Sequence, residues 1–343
     1  MVRNGAQHAG DPIDAPPSTE RRSDPLRRAG GIVLRWREAS ILLAGIILVG
    51  YFQSTNAAFL SISNIENLID YTATTSIIAA GEVMVLVCGE LDLSAGMVYA
   101  LSPFIMHFAG AAGLPAVVAI VLALAAAGLV GLINGAITTF LNVPAFVTTL
   151  GTMFLINGLT LTISGGFPVQ PHAAESVTAI FGGNAWARLG WSLMISLFLQ
   201  FVLSRTRFGL HTIATGGNIV AAAEVGISVR SIKMRNFVLC SVLGGFAGVI
   251  DAFRIGSIDP LAGGSEITFA AIAAAVIGGT LLTGGSGTLI GAFIGALVLG
   301  ILKDGFTLSG VSAYTFDMIL GAAILGTMAV NVRLMQWRER GEA

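Results

Sequence analysis

Charge is what this sequence has least of. Its 343 residues carry 18 Lys and Arg and 19 Asp and Glu, 11% in all, against about 25% in an average soluble domain. Seven of the Arg and five of the acids stand before residue 40, so the rest of the chain is poorer still. A water-soluble globule of this length could not cover its surface with so few charges. That excludes an ordinary cytosolic enzyme, a nucleic-acid binder and a disordered chain. Lysine is scarcer again, with only Lys233 and Lys303. The glycine-rich stretch Gly278 to Thr288 resembles a phosphate loop but lacks the Lys-Ser/Thr ending that reaches phosphates. Nucleotide binding at that stretch is therefore rejected, and a tight membrane turn between close-packed helices is expected. There is no H-E-x-x-H or G-x-S-x-G, and His107 and His211 have no metal-ligand spacing. No catalytic residue, metal ligand or bound cofactor is predicted. The two Cys, Cys88 and Cys240, lie in apolar runs and are expected as buried free thiols.

What fills the chain instead is hydrocarbon and glycine. Hydrophobic residues make up 55% and the mean hydropathy is +0.83, which predicts an all-α polytopic integral membrane protein. A spanning helix needs about 20 mostly apolar residues, and about ten stretches qualify: 40–59, 71–88, 95–112, 115–141, 145–163, 190–203, 236–255, 267–282, 287–302 and 311–330. The 44 glycines have no collagen-like period. Gly131/Gly135, Gly244/Gly248 and Gly291/Gly295 have the small-xxx-small spacing that lets helix backbones approach.

Basic residues set the orientation of such a chain. Fifteen of the 18 fall in three clusters, at 3–37, 205–235 and 333–340. Ten spans would put all three on one face, so both termini and the 204–235 loop are expected to be cytoplasmic. Residues 1–39, polar and rich in Pro and Arg without a cleavable apolar core, are expected to be a disordered tail. Residues 40–331 form the transmembrane domain, and 332–343 a C-terminal tail. A loop at 164–189 is expected on the opposite face.

Three polar interruptions carry the functional expectations. Gly89-Glu90-Leu91-Asp92-Leu93-Ser94-Ala95-Gly96 puts two carboxylates between apolar runs. It reads either as a broken helix at membrane depth, where ionisable groups are costly and functional, or as a plain turn in which Asp92 or Ser94 caps the next helix. Within the internal loop, Gly217 to Gly226 reads as one short helix. Asn218 is its N-cap and Gly226 its stop, and it holds Ala221, Ala222 and Glu224. A helix so short is marginal in water, so its apolar residues call for burial, in a partner's groove or on its own chain. In the third region Asn134, Thr149 and Asn157 recur among apolar residues. They either line a hydrophilic path or bond neighbouring helices. Glu82 lies inside a span, and Glu82 and Glu90 would serve a proton-coupled secondary transporter or channel, the rival reading.

Taken together, these stretches resemble the ribose/xylose/arabinose-type permeases of bacterial ATP-binding-cassette importers. The acidic turn is Gly89 to Gly96. The "NG…VPAFVTTLGTM" stretch is at Asn134-Gly135 and Val143 to Met153. Gly165-Gly166 precedes Phe167-Pro168, and the internal loop matches at Phe208-Gly209, Ala214 to Asn218, Ala221-Ala222 and Gly226 to Val229. Val276 to Gly287 completes the order. The resemblance covers about 40–331. It implies a pore-forming subunit of the bacterial inner membrane that moves a monosaccharide or similar small polyol and has no ATPase of its own. Gly217 to Gly226 would be the coupling helix, docking on a cytoplasmic ATPase subunit that uses ATP and Mg. A periplasmic or surface sugar-binding protein and a second permease chain are the other implied partners. Asp92 and Ser94, with Gly89 and Gly96, are implied supports of the broken helix. The chain departs from the family pattern at Ile219 and Val220, where polar or acidic residues are frequent, and at Glu82 and Glu90.

Overall fold

The computed structural model describes residues 37–312 and scattered positions from 315 to 326. The expected tails and the tenth span, 311–330, fall wholly or mostly outside the described residues. Within them the chain is all-helical. The helices are α1 (Arg37–Thr55), α2 (Ile62–Val87), α3 (Ala95–Ala111), α4 (Ala116–Phe140), α5 (Ala145–Ser164), α6 (Glu175–Phe181), α7 (Ala185–Arg205), α8 (Arg207–Gly217), α9 (Ile219–Glu224), α10 (Val229–Ile255), α11 (Ser265–Ile277) and α12 (Leu289–Leu308). No β-strand occurs among the described residues, only an isolated antiparallel bridge between Val169 and Ile258.

Among the described residues five helices, α4, α5, α7, α10 and α12, are long and apolar enough to cross a membrane, and three shorter apolar ones accompany them. Local chemistry sets their ends. Ser61, Asn184 and Thr288 cap α2, α7 and α12 with side-chain oxygens. Pro115 and Pro144 stand just before α4 and α5. Gly165 and Gly256 close α5 and α10 in the left-handed region.

The helices overlap the apolar stretches among the described residues, but α2 starts at Ile62 rather than 71, α11 ends at Ile277 rather than 282, and two further helices run past a boundary that charge had marked. The sixth stretch, expected at 190–203, is a helix from Ala185, because Arg188 is buried and donates from Nε to Asp70 Oδ1 at 2.9 Å. The seventh begins at Val229 rather than 236 and takes in Lys233, which pairs with Glu90. The expected loop at 204–235 is thus mostly helix, and the 164–189 segment contains α6.

At the centre stands α2. Every residue from Thr72 to Val87 is buried, as expected of a helix surrounded on all sides. Around it pack α7, α10, α11 and α12, with α3 and α4 on the outer side of α10. Both cysteines are buried and free. Small residues make this closeness possible. At Gly131, Gly135, Gly244, Gly248, Gly291 and Gly295 an added methyl would strike the backbone of a neighbouring helix. Gly248 shows why. Pro103 inside α3 has no N–H to give to the carbonyl one turn back, that of Tyr99. Gly248 of α10 packs on that oxygen, and only a residue without Cβ can do so.

Exposed faces are apolar. Phe154 and Leu155 on α5, and Phe198 and Phe201 on α7, are more than half exposed, which suits contact with lipid or another membrane subunit. Gly248→Ala is expected to cost about 1–3 kcal/mol by overpacking. Gly50→Ala, at an exposed α1 position with no atom within 4 Å, is expected to be neutral or to stabilise by up to about 1 kcal/mol. Thermal unfolding of the two variants in detergent compares them.

Candidate functional site: the broken helix and the short exposed helix

The central helix stops at Val87, and Gly89 turns the chain with φ +82°. The segment to Ser94 is non-helical yet largely buried, so its polar groups must find partners within the protein. Asp92 is fully buried. Its Oδ1 accepts from the Ser94 N–H at 2.8 Å and from Ser94 Oγ at 2.6 Å. Ser94 Oγ in turn accepts from Asn134 Nδ2 at 2.9 Å, and Asn134 Oδ1 accepts from Thr152 Oγ1 at 2.7 Å. One hydrogen-bonded chain therefore runs from the break across α4 to α5. Thr149 is buried beside it and donates to Ala145 O at 2.9 Å, with a longer contact to Leu91 O at 3.4 Å. Asn157 is half-buried and takes no part in this chain.

The capping expectation for this turn is corrected. Ser94 occupies the N-cap position of α3 but its side chain caps nothing; its oxygen accepts from Asn134 Nδ2 instead. The free N–H of Gly96 instead donates to Thr268 Oγ1 of α11 at 3.0 Å. A methyl on Gly96 would fill the space of that hydroxyl and of Gly264 O. Thr268 and Thr152 were not singled out individually by the sequence. The available signal was a polar residue at a buried position of an otherwise apolar helix.

The two acids of interest part company. Glu90 is half-buried and pairs with Lys233 of α10. Glu82 is fully buried in α2, where Cys240 Sγ lies 3.7 Å from its Oε1 and its Oε2 has no partner. Asp92 Oδ2 is likewise buried without a partner.

The short helix is α9. Asn218 Oδ1 accepts from the N–H groups of Val220 at 3.1 Å and Ala221 at 3.0 Å, and Gly226 ends the turn with φ +84°. Ala222 faces inward, 3% exposed, while Ile219, Val220 and Val225 are 46%, 63% and 76% exposed. Ala221 and Glu224 also face outward. The helix is therefore anchored by Ala222 and presents its apolar residues away from the protein.

What joins α9 to the break is glycine. Gly216 packs on the Val87 carbonyl and Cys88 backbone at the end of α2, and Gly217 on Gly285. Gly285, with φ +76°, donates its N–H to Val87 O at 2.9 Å, and Gly284 packs on Gly89. Three turns, at Gly89, Gly216-Gly217 and Gly284-Gly285, meet backbone to backbone, and no side chain fits between them. The stretch that resembles a phosphate loop is thus a structural turn.

A bundle of long apolar helices, a buried break in the central one and a short apolar helix displayed beside it fit a multi-pass membrane protein. The family described as branched-chain amino acid transport system / permease component matches residues 64–328. The chain is 39% identical over 311 residues to the xylose/arabinose import permease protein XylH of Sulfolobus acidocaldarius, covering 87% of this chain and 86% of the relative. It is 34% identical to the ribose import permease protein RbsC of Escherichia coli K12, over 84% of this chain and 91% of that one. With the autoinducer 2 import system permease protein LsrC of Photorhabdus luminescens it shares 33% identity over 87% and 90%. No solved structure matches. The chain belongs to the family of sugar permeases of ATP-binding-cassette importers.

Asn134→Ala is expected to destabilise the protein by about 1 kcal/mol, since it removes two buried hydrogen bonds while Ser94 keeps Asp92 and Thr152 keeps Thr148 O as partners. Asn157→Ala is expected to stay within about 0.5 kcal/mol. Chemical unfolding in detergent measures both.

Proposed function

We propose that this chain is the pore-forming permease subunit of an ATP-binding-cassette importer that carries a monosaccharide or similar small polyol across the bacterial inner membrane. Hydrolysis of ATP, with Mg, takes place in a separate cytoplasmic subunit. A periplasmic or surface sugar-binding protein delivers substrate at the opposite face, and a second permease chain completes the pore. In this reading both termini and the 204–235 segment are cytoplasmic, as the clustering of basic residues indicates. The names of the relatives, which import xylose/arabinose and ribose, support the substrate class.

One observation carries the reading: α9 displays Ile219, Val220 and Val225 while the glycine contacts of Gly216 tie its base to the end of the central helix. Six helical residues with three exposed aliphatic side chains at or beside them gain nothing from water. A groove in an ATPase subunit would bury them, as helix-in-groove contacts do. Movement of α9 would then reach the broken helix without passing through a flexible side chain. Closure of the nucleotide domains pulls α9, and the bundle rocks between outward- and inward-facing states.

The inward position of Ala222 directs the test to its neighbour. Val220→Arg is expected to lower co-purification of the ATPase subunit at least tenfold, while membrane insertion and thermal stability stay as in the parent. Undiminished association of a folded Val220→Arg protein would overturn the coupling assignment.

A further inference from the structure

Helix α10 carries four cations, Arg230, Lys233, Arg235 and Arg254. Two of them are satisfied inside the protein, Lys233 by Glu90 and Arg254 by Asp251 and Asp70. Among the described residues no carboxylate pairs with Arg230 or Arg235. Both are exposed, and both line a groove of about 650 Å3 between α4 and α10. No acidic residue lines that groove, so its two guanidinium groups are open to an anion from outside the chain.

The groove has a polar end and an apolar end. Its two helices run antiparallel, since Gly135 packs on Met234 and Gly131 on Val238. At the polar end lie Arg230, Ser231 and Arg235. The Arg230 guanidinium stands 5.9 Å from the ring centroid of Phe140, a cation–π contact that holds it at the mouth. Toward the other end the lining is aliphatic, with Leu132 from α4 and Val238 and Val242 from α10. Val242 lies about 18 Å beyond Arg230 along a helix that rises about 1.5 Å per residue. At 27 residues α10 is about 40 Å long, more than the roughly 30 Å of a hydrocarbon core. Its first turns therefore reach headgroup depth, and the aliphatic end of the groove lies among acyl chains. Charge above and hydrocarbon below is the polarity of a phospholipid.

We propose that this groove holds one anionic glycerophospholipid, its phosphodiester between Arg230 and Arg235 and an acyl chain along Leu132, Val238 and Val242. Guanidinium groups bind phosphate oxygens through paired N–H donors, and Ser231 adds a hydroxyl. Basic pockets between membrane helices take anionic headgroups in this way. A zwitterionic lipid would bring its own cation beside two unpaired ones, so the site selects by charge. The inference goes beyond the permease reading and needs from it only that α4 and α10 lie in a bilayer. Arg205 and Arg207 provide the contrast: they are exposed cations of the same basic cluster that do not line the groove.

The test uses the purified full chain, delipidated in detergent and titrated with phosphatidylglycerol or phosphatidylcholine of the same acyl chains. Native mass spectrometry counts the bound lipid. One phosphatidylglycerol is expected to bind at least tenfold more tightly than phosphatidylcholine. Arg230→Gln combined with Arg235→Gln is expected to lower phosphatidylglycerol affinity at least tenfold and to abolish the preference. Leu132→Trp, at a position 42% exposed, narrows the aliphatic end and is expected to weaken both lipids several-fold. It also serves where the double arginine variant does not fold. Arg205→Gln combined with Arg207→Gln is expected to leave the preference as in the parent. Equal binding of the two lipids, binding that the groove variants leave unchanged, or an equal loss in the Arg205 and Arg207 variant overturns the proposal. So does equal competition by glycerophosphoglycerol, which carries the headgroup without acyl chains. Self-association and co-purification of the ATPase subunit are scored on the same preparations. Loss of either in the Arg230 and Arg235 variant, with phosphatidylglycerol binding intact, assigns the groove to a protein partner and overturns the proposal as well.

Discussion

Everything in this molecule depends on a backbone that must satisfy itself. A buried N–H or C=O has no water to take it up, and this chain interrupts its most buried helix where three turns pack on one another. The interruption at Gly89–Ser94 is held by backbone contacts, by small polar groups and by the Glu90–Lys233 ion pair. Val87 O takes the N–H of Gly285, the Gly96 N–H goes to Thr268, and Asp92 binds Ser94. Three separate turns meet there at distances only glycine permits. The same requirement explains the small residues of α10, which let it lie directly on the carbonyl that Pro103 leaves free.

Charge follows the same logic at the other end of α2. A membrane protein with few ionisable groups places several of them within reach of one another: Arg188, Asp70, Arg254, Asp251 and Tyr99 form a connected set. Removing one member would leave another buried and uncompensated, a larger penalty than the pair itself is worth. Such a set is costly to assemble for stability alone.

Much of this was legible in the sequence, and the remainder fails for a common reason. The apolar stretches marked the helices, the small-xxx-small pairs marked real close contacts, and Asn218 marked the start of α9. Boundaries failed at Arg188 and Lys233, because a charge inside a helix looks like an end until its partner is known. Those partners, Asp70 and Glu90, are 118 and 143 residues away. Asp92, Ser94 and Asn134 were visible as polar residues in separate stretches, but nothing in a linear chain says that they bond one another. Thr268 was hidden for the same reason, as was the inward face of Ala222 on a helix too short to show a period.

The two ends of α2 also constrain how such a protein could move. From Thr72 to Val87 the helix is packed on every side, and interiors packed to this degree do not bend continuously. Its glycine-locked end carries α9, and its other end belongs to the charged set around Asp70. A displacement at α9 is therefore passed along a stiff rod rather than absorbed near its source. Helices α5 and α7 instead leave one apolar face exposed. In the permease reading the core made of α2, α10, α11 and α12 would shift as one body. Coupling between the two faces then needs no wire of contacts, only the rigidity that the central helix owes to its burial.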